Sequence, residues 1–421
     1  MSKLQELINK LCPNGVEYKP LAEVFEMRNG YTPSKNNPDF WEGGTIPWFR
    51  MDDIRENGRI LSDSIQHITP SAIKGKGLFE ANSFILATTA TIGEHALIIA
   101  DSLANQQFTN LKVRKSLSNL LVTKFIYYYM FIVDDFCKRN TNVSGFASVD
   151  MDKLKKMPFP VPPIEVQEEI VRILDSFSDY AAELQAELQA RKQQYEYYRN
   201  LLLTFNPSAY GCGTDDEQKD GVTTWGGHNY KIQWKKLGEI GNICMCKRIL
   251  KHQTNTKSGI PFYKIGTFGK VADSYISEDL FMEYKKKYSF PQKGEILISA
   301  SGTIGRAVIY DGEDAYFQDS NIVWINNDES MVLNKYLYYF YQIVDWNVEG
   351  GTIKRLYNTN LSNTPIPIPP LELQEKIVAI LDRFETLVND LTNGLPAEIA
   401  AVKDQYEYYR NKLLTFKKLT A

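Results

Sequence analysis

The sequence is poor in the residues that most often carry chemistry. Only four histidines stand among 421 residues, His67, His95, His228 and His252, so a nucleophile–base triad has few bases to draw on. The five cysteines, Cys12, Cys137, Cys212, Cys244 and Cys246, form no framework of spaced pairs. That excludes a disulfide scaffold and predicts free thiols in a reducing cytoplasm. Cys244-Met-Cys246 is too close and too isolated for structural zinc, and neither a His-Glu-x-x-His pair nor a glycine-rich nucleotide loop occurs. Apolar runs such as Phe125 to Val133 fall well short of the roughly 18 to 20 residues of a membrane span. The stretch Met1 to Leu11 is amphipathic and carries Glu6 and Lys10, unlike a secretory signal. A net charge of -3 also lacks the basic excess of many nucleic-acid binders.

The whole-chain charge hides a division. Residues 1–157 carry +2 and 231–364 carry +3, whereas 158–205, 206–230 and 365–421 carry -4, -3 and -1. The acid is concentrated in segments that read as helical or linking. The two large stretches are mildly basic, which removes the objection to a phosphate-bearing partner.

An internal repeat organises the chain. Pro158-Phe-Pro-Val-Pro-Pro-Ile-Glu-Val-Gln-Glu-Glu-Ile170 returns as Pro365-Ile-Pro-Ile-Pro-Pro-Leu-Glu-Leu-Gln-Glu-Lys-Ile377, with 13 of 20 positions identical through Phe177 and Phe384. Gln194-Tyr-Glu-Tyr-Tyr-Arg-Asn200 returns at Gln405 to Asn411, and 11 of 12 positions match through Phe205 and Phe416. Elsewhere the halves share only short matches: Thr91-Ile-Gly93 with Thr303-Ile-Gly305, Gln107 to Asn110 with Gln318 to Asn321, and Lys124 to Tyr129 with Lys335 to Phe340. The chain therefore alternates variable globule and fixed helix, twice.

Pro162-Pro163 marks a helix start, with Glu165, Glu168 and Glu169 in the first turns. Apolar residues at 170, 173, 177, 180, 184, 188, 195, 198, 202 and 205 form a coiled-coil seam, and the second copy repeats it from 377 to 416 through Leu391. The offset grows from 207 to 211 near Asn393-Gly-Leu-Pro396, where Gly394 and Pro396 predict a kink or break. Two antiparallel helices of this kind make a spacer. The clusters Tyr195, Tyr197, Tyr198, Arg199 and Tyr406, Tyr408, Tyr409, Arg410 put aromatics and arginine on more than one helix face, as partner-binding surfaces do.

Between the helices, short β-like runs alternate with Gly-, Pro- and Asn-rich turns, and each half closes on a helical segment, Leu120 to Phe136 and Val332 to Trp346. Both globules read as α+β, and the glycines and acids of 206–230 read as an exposed linker. Cations, amides and aromatics gather in loop-like stretches: Arg28, Lys35, Asn36, Asn37, Trp48, Arg50, Lys74, Lys76, Gln106, Gln107, Asn110, Lys138 and Arg139 in the first half. The second offers Lys247, Arg248, Lys251, Lys264, Arg306, Gln318, Asn321, Lys354 and Arg355. Arg, Asn and Gln can read base edges and Lys can hold phosphates, so these are the candidate DNA-binding residues. Asn37-Pro-Asp-Phe40 departs at its third position from the Asn-Pro-Pro-aromatic motif of amino-methyltransferases, so a turn is expected. Asp273, Glu283 and Lys285 have the spacing of a metal-dependent nuclease core, and a coiled-coil adaptor without sequence reading is the other alternative.

The two Pro-x-Pro-Pro-x-Glu-x-Gln-Glu helix entries, the two Gln-Tyr-Glu-Tyr-Tyr-Arg-Asn helix ends and the opening Leu11-Cys-Pro-Asn-Gly-Val-Glu-Tyr18 give the chain its likeness. It resembles the specificity subunit of type I restriction-modification systems over nearly its whole length. The resemblance implies two α+β target recognition domains, 1–157 and 231–364, each reading one half of a bipartite, asymmetric site in double-stranded DNA. It implies conserved helical regions at 158–205 and 365–421 that separate them and bind two methyltransferase subunits, joined by restriction subunits in complete systems. On this reading the chain is not an enzyme. It holds no metal or cofactor, and S-adenosylmethionine, ATP and Mg²⁺ belong to its partners in the cytoplasm.

Overall fold

The computed structural model describes residues 3–142, 147–205, 221–225, 227–351 and 354–419. Most of the expected linker (206–220, with Cys212) and Gly226 lie outside the described residues. The chain divides into two compact units, Met1–Leu184 with Ile399–Ala421, and Gln185–Glu398. Both divisions fall inside helices.

In the first unit a five-stranded sheet runs in the order Phe25–Asn29, Phe108–Val113, Ser83–Ala87, His95–Ile98, Ile60–Leu61, antiparallel except for its last pair. Ser83–Ala87 is buried along its whole length because the sheet is covered on both faces. Phe84 and Leu86 pack against the helix Thr123–Arg139 and the start of the helix Ile164–Leu203. Their neighbours Ile85 and Ala87 point the other way, into a second core around Trp48, Phe49 and Phe108. There Ile46–Phe49 pairs with His67–Ile68 and, in parallel, with Leu103–Ala104.

The second unit builds the same plan from different residues. Asn242–Cys244, Ile322–Asn326, Ile296–Ser299 and Ala307–Ile309 make an antiparallel sheet. Ile260–Tyr263 pairs with Tyr275–Ile276 and, in parallel, with Tyr316–Phe317. The helix expected over Val332 to Trp346 is shorter, Asn334–Tyr341. The glycine of each Thr-Ile-Gly match has a structural reason. Gly93 and Gly305 adopt φ of +76° and +83°, and a Cβ would lie 2.5 Å from the Asp134 carbonyl oxygen or 2.4 Å from the Trp346 ring nitrogen.

The proline-rich motifs enter as strands. Pro158–Val161 pairs antiparallel with Glu17–Pro20, and Pro365–Ile368 pairs antiparallel with His228–Lys236. The last residues of the expected linker are thus ordered, because Gly221–Trp225 pairs in turn with His228–Lys236.

Ile164–Leu203 is one helix of 40 residues, ending two residues before Phe205. At about 1.5 Å per residue it spans about 60 Å. In the first unit Phe177 stacks on Tyr409 at 5.5 Å, while Ile170 and Leu174 share a core with Leu414, so the two helices run antiparallel. The second unit repeats the contact as Tyr198 on Phe384 at 5.7 Å. The distal region is two helices, Leu371–Asn389 and Leu395–Leu413. The Asp390 carboxylate accepts from the backbone N–H groups of Thr392 and Asn393, and a Cβ on Gly394 would sit 2.5 Å from the Thr386 carbonyl. The four extra residues therefore form a turn instead of a helical step. The predicted seam departs there, with Leu391 80% exposed, and separately within Ile164–Leu203, where Tyr180 is 44% exposed.

Candidate nucleic-acid interface

Two repeated devices hold each globule to its helix. Gln167 is fully buried. Its carbonyl accepts from the Val122 N–H at 2.8 Å, and its amide donates to the Leu120 and Pro162 carbonyls, both at 2.7 Å. Gln374 repeats this with Leu333 N–H at 2.9 Å, Met331 at 3.0 Å and Pro369 at 2.7 Å. One side chain thus ties the start of the helix Thr123–Arg139, or of Asn334–Tyr341, to the turn that begins the frame helix. In the second device Asp175 accepts from Tyr128 at 2.5 Å and pairs with Lys124 at 2.7 Å. Asp382 accepts from Tyr339 and pairs with Lys335 at 2.8 Å. Burial first, and the carboxylate second, push both phenols above their ordinary range. Sequence reasoning passed over these residues. Their signal was there: the short match at Lys124 and Lys335 is the part of each globule that touches the repeated helix.

In the first unit Arg28, Lys74 and Lys76 line one groove together with Tyr31, Thr32, Gly75 and Gly77. Arg28 donates to the Lys76 carbonyl at 2.9 Å and lies 4.6 Å over the Phe79 ring. Lys74 and Lys76 are exposed, and Gln106 is joined to this cluster by the Thr32 hydroxyl. Lys35 and Asn36 are exposed on the neighbouring loop, and Asn37 caps the short 3-10 turn Pro38–Phe40 by accepting from the Asp39 N–H, as the turn reading expected. Trp41 and Trp48 donate their indole N–H groups to the Ser34 and Tyr31 carbonyls, both at 3.0 Å, and fix that loop. Arg50 is half-buried, its N–H donating to Asp53 at 2.6 Å, and Gln107 is engaged with Asn105. Asn110 differs from the rest: it is 4% exposed, and its amide donates to Ser83 and Phe84 inside the sheet. Lys138 and Arg139 are exposed at the end of Thr123–Arg139.

The second unit offers Lys247, Arg248 and Lys251 in the exposed stretch after Asn242–Cys244. Lys247 sits 5.2 Å over Tyr288, and Arg248 pairs with Asp319 at 2.8 Å. Several expected contacts are spent internally. Arg306 donates to the Phe268 carbonyl, Gln318 accepts from the Ile265 N–H, and Lys264 pairs with Asp273. Asn321 accepts from both Ser301 and Arg355, while Lys354 is exposed. A loop fold needs its own backbone groups satisfied, and Asn and Gln are the side chains that do this as readily as they read bases.

The tyrosine clusters divide by face. Tyr195 is 6% and Arg410 8% exposed, whereas Tyr197 and Tyr408 are 64% and 59% exposed. Tyr195 and Arg199 donate to the Gln342 side-chain carbonyl, at 3.3 and 3.0 Å, and Tyr406 packs on Tyr128. Tyr198 and Tyr409 lie between the faces, each stacked on a phenylalanine and edge-on to its exposed neighbour. The first tyrosine and the arginine of each motif thus belong to the globule's own packing.

The residues of the nuclease alternative do not assemble. Asp273 pairs with Lys264, Glu283 with Lys287 at 2.8 Å and Lys285 with Asp314 at 3.0 Å. Among the described residues no group of three or more His, Cys, Asp or Glu is placed to hold a metal ion, and no helix is long and apolar enough to cross a membrane. His95 is wholly buried against Asp134 at 2.7 Å, and burial lowers its pKa, as for a core histidine.

A family model for the type I restriction modification DNA specificity domain matches residues 13–191 and again 230–401. A putative type I restriction enzyme specificity subunit of Haemophilus influenzae is 42% identical over 422 residues, 95% of this chain and 96% of its own. The type I restriction enzyme EcoprrI specificity subunit of Escherichia coli is 36% identical over 96% of this chain and 94% of its own. A solved structure concerned with complex assembly and conformational transition of the type I R-M system has the same fold, with a TM-score of 0.61 at 18% identity over 96% of this chain and 98% of its own. The HsdS subunit from Thermoanaerobacter tengcongensis aligns with a TM-score of 0.52 at 17% identity, over 96% of each chain.

Proposed function

We infer from one premise, that the chain belongs to the type I restriction modification DNA specificity family, that it selects the DNA sequence on which a type I restriction-modification complex acts. It is a non-catalytic subunit that binds DNA and assembles with modification and restriction subunits. S-adenosylmethionine, and ATP with Mg²⁺ where a restriction subunit is present, serve those partners. Residues 1–157 and 231–364 are the two target recognition domains, each reading one half-site, and the helical regions 158–205 and 365–421 act as spacer and docking scaffold.

One observation supports this most: identical clamps, Gln167 and Gln374, hold globules whose loops differ. Evolution of two specificities on one frame needs that arrangement. Arg28, Lys35, Asn36, Lys74, Lys76 and Gln106 are the contacts of the first domain, and Lys247, Arg248, Lys251 and Lys354 those of the second. Arginine suits guanine edges and lysine the phosphates. The exposed Tyr197 and Tyr408 each dock one methyltransferase subunit, two in all.

Exchange of residues 15–157 for the corresponding domain of a relative tests the reading. Sequencing of methylated sites in cells carrying the hybrid should show one half-site changed and the other kept. A change in both, or in neither, would refute it.

A further inference from the structure

We propose that Tyr31 is a specificity-positioning residue: its hydroxyl clamps the loop 72–77 to the loop that follows Phe25–Asn29, and so sets the geometry of Arg28, Lys74 and Lys76 on DNA. The Tyr31 hydroxyl donates to the Ala72 carbonyl at 3.1 Å and accepts from the Lys74 N–H at 2.8 Å. The tyrosine itself is held, with its N–H on the Ala104 carbonyl at 2.9 Å and its carbonyl receiving the Trp48 indole at 3.0 Å. The clamped loop needs such a restraint. Gly75 and Gly77 both take positive φ, +59° and +79°, and a Cβ on either would meet nothing within 4 Å. A glycine-rich turn without packing has little of its own to fix it. Arg28 closes the second side by donating to Lys76 while its guanidinium rests on Phe79. Three cationic side chains, one on the strand Phe25–Asn29 and two on the loop 72–77, thereby share one rigid mount, the arrangement that sequence reading demands of its contacts.

The second unit has a counterpart made from another residue. Tyr316 is fully buried, and its hydroxyl donates to the Lys247 carbonyl at 3.1 Å, under the stretch that carries Lys247, Arg248 and Lys251. Each globule therefore ties its cationic loop with the phenol oxygen of a tyrosine that lies in its core or packs against it.

The inference rests on the reading that each globule governs one half-site, and the test separates the two. Tyr31→Phe and Tyr316→Phe each remove one oxygen and keep the ring. The full chain is reconstituted with its methyltransferase subunit and offered duplex libraries randomised in either half-site. Tyr31→Phe should lower discrimination roughly fivefold, the low end of one base contact, at the half-site that follows residues 15–157 in the exchange, and leave the other unchanged. Tyr316→Phe should do the reverse. Amide exchange of the full chain supplies a second measurement: the Lys74 N–H should exchange faster in Tyr31→Phe. Unchanged discrimination in Tyr31→Phe, while Lys74→Ala or Arg28→Ala weakens the same half-site, would overturn the clamp and leave the modular reading standing. No effect from any of these variants, or equal loss at both half-sites, would overturn the reading beneath it.

Discussion

Replacing Gln167 with leucine puts an apolar side chain of similar size in its place and removes its side-chain hydrogen bonds. Val122 then holds a part-buried N–H without its acceptor, and the part-buried Leu120 carbonyl and the buried Pro162 carbonyl lose the donor they share. Leaving a buried polar group unsatisfied costs about 1–3 kcal/mol. Only the Pro162 bond is fully buried and water can reach the other two groups, so the loss is about 1–3 kcal/mol. In a unit of about 200 residues, each kcal/mol moves the melting midpoint by about 2–4 °C, so the first unit should melt at least about 2 °C earlier. The contacts of Gln374 lie entirely in the second unit, so Gln374→Leu should shift that unit instead. Calorimetry of the full chain reads both, since unequal destabilisation separates the transitions. A shift under about 2 °C for Gln167→Leu, by the same scaling, would show that the repeated glutamine does not anchor the globule.

Three further outcomes follow from the geometry. Tyr197→Ala and Tyr408→Ala should leave thermal stability unchanged but each weaken methyltransferase docking, read by native mass spectrometry; Tyr195→Ala, at a 6% exposed position, should instead cost about 3–5 kcal/mol of folding. Arg172, and after it Lys3, hold the Glu169 carboxyl down at about 2 although burial opposes them. Its stabilising contribution is complete above the ordinary glutamate range near 4.3 and is lost as pH falls towards 2, so Arg172→Ala should flatten the acid limb of stability against pH. Inserting four residues near Ala186 lengthens Ile164–Leu203 by about 6 Å, at most nearly two base pairs at about 3.4 Å each, so the unread gap should grow by one or two pairs with both half-sites kept. A two-residue insert turns the downstream face by about 200° and should impair assembly, which methylation-site sequencing would show as lost modification.

The repeat, the helical frame, the α+β character of the globules and the family were all legible in the residues themselves. They are properties of order along the chain: proline pairs that start helices, apolar spacing that keeps one face, and motifs that recur. The break at Asp390–Gly394 was half legible, since glycine and proline announce an interruption, but only the crowding of Gly394 against the Thr386 carbonyl shows it to be a turn. What the tertiary structure alone decided is which polar side chain faces inward. Asn110, Gln318 and Asn321 look no different in sequence from Asn36 or Gln106, yet they are spent on their own backbone and neighbours. Tyr195 and Tyr197 stand two residues apart in one motif and face opposite ways, because a helix turns about 200° between them. The same limit concealed Gln167, Asp175 and Tyr31. Hydrogen bonding depends on the distance between groups far apart in the chain, and that distance exists only once the sheet, the frame helix and the loops have packed.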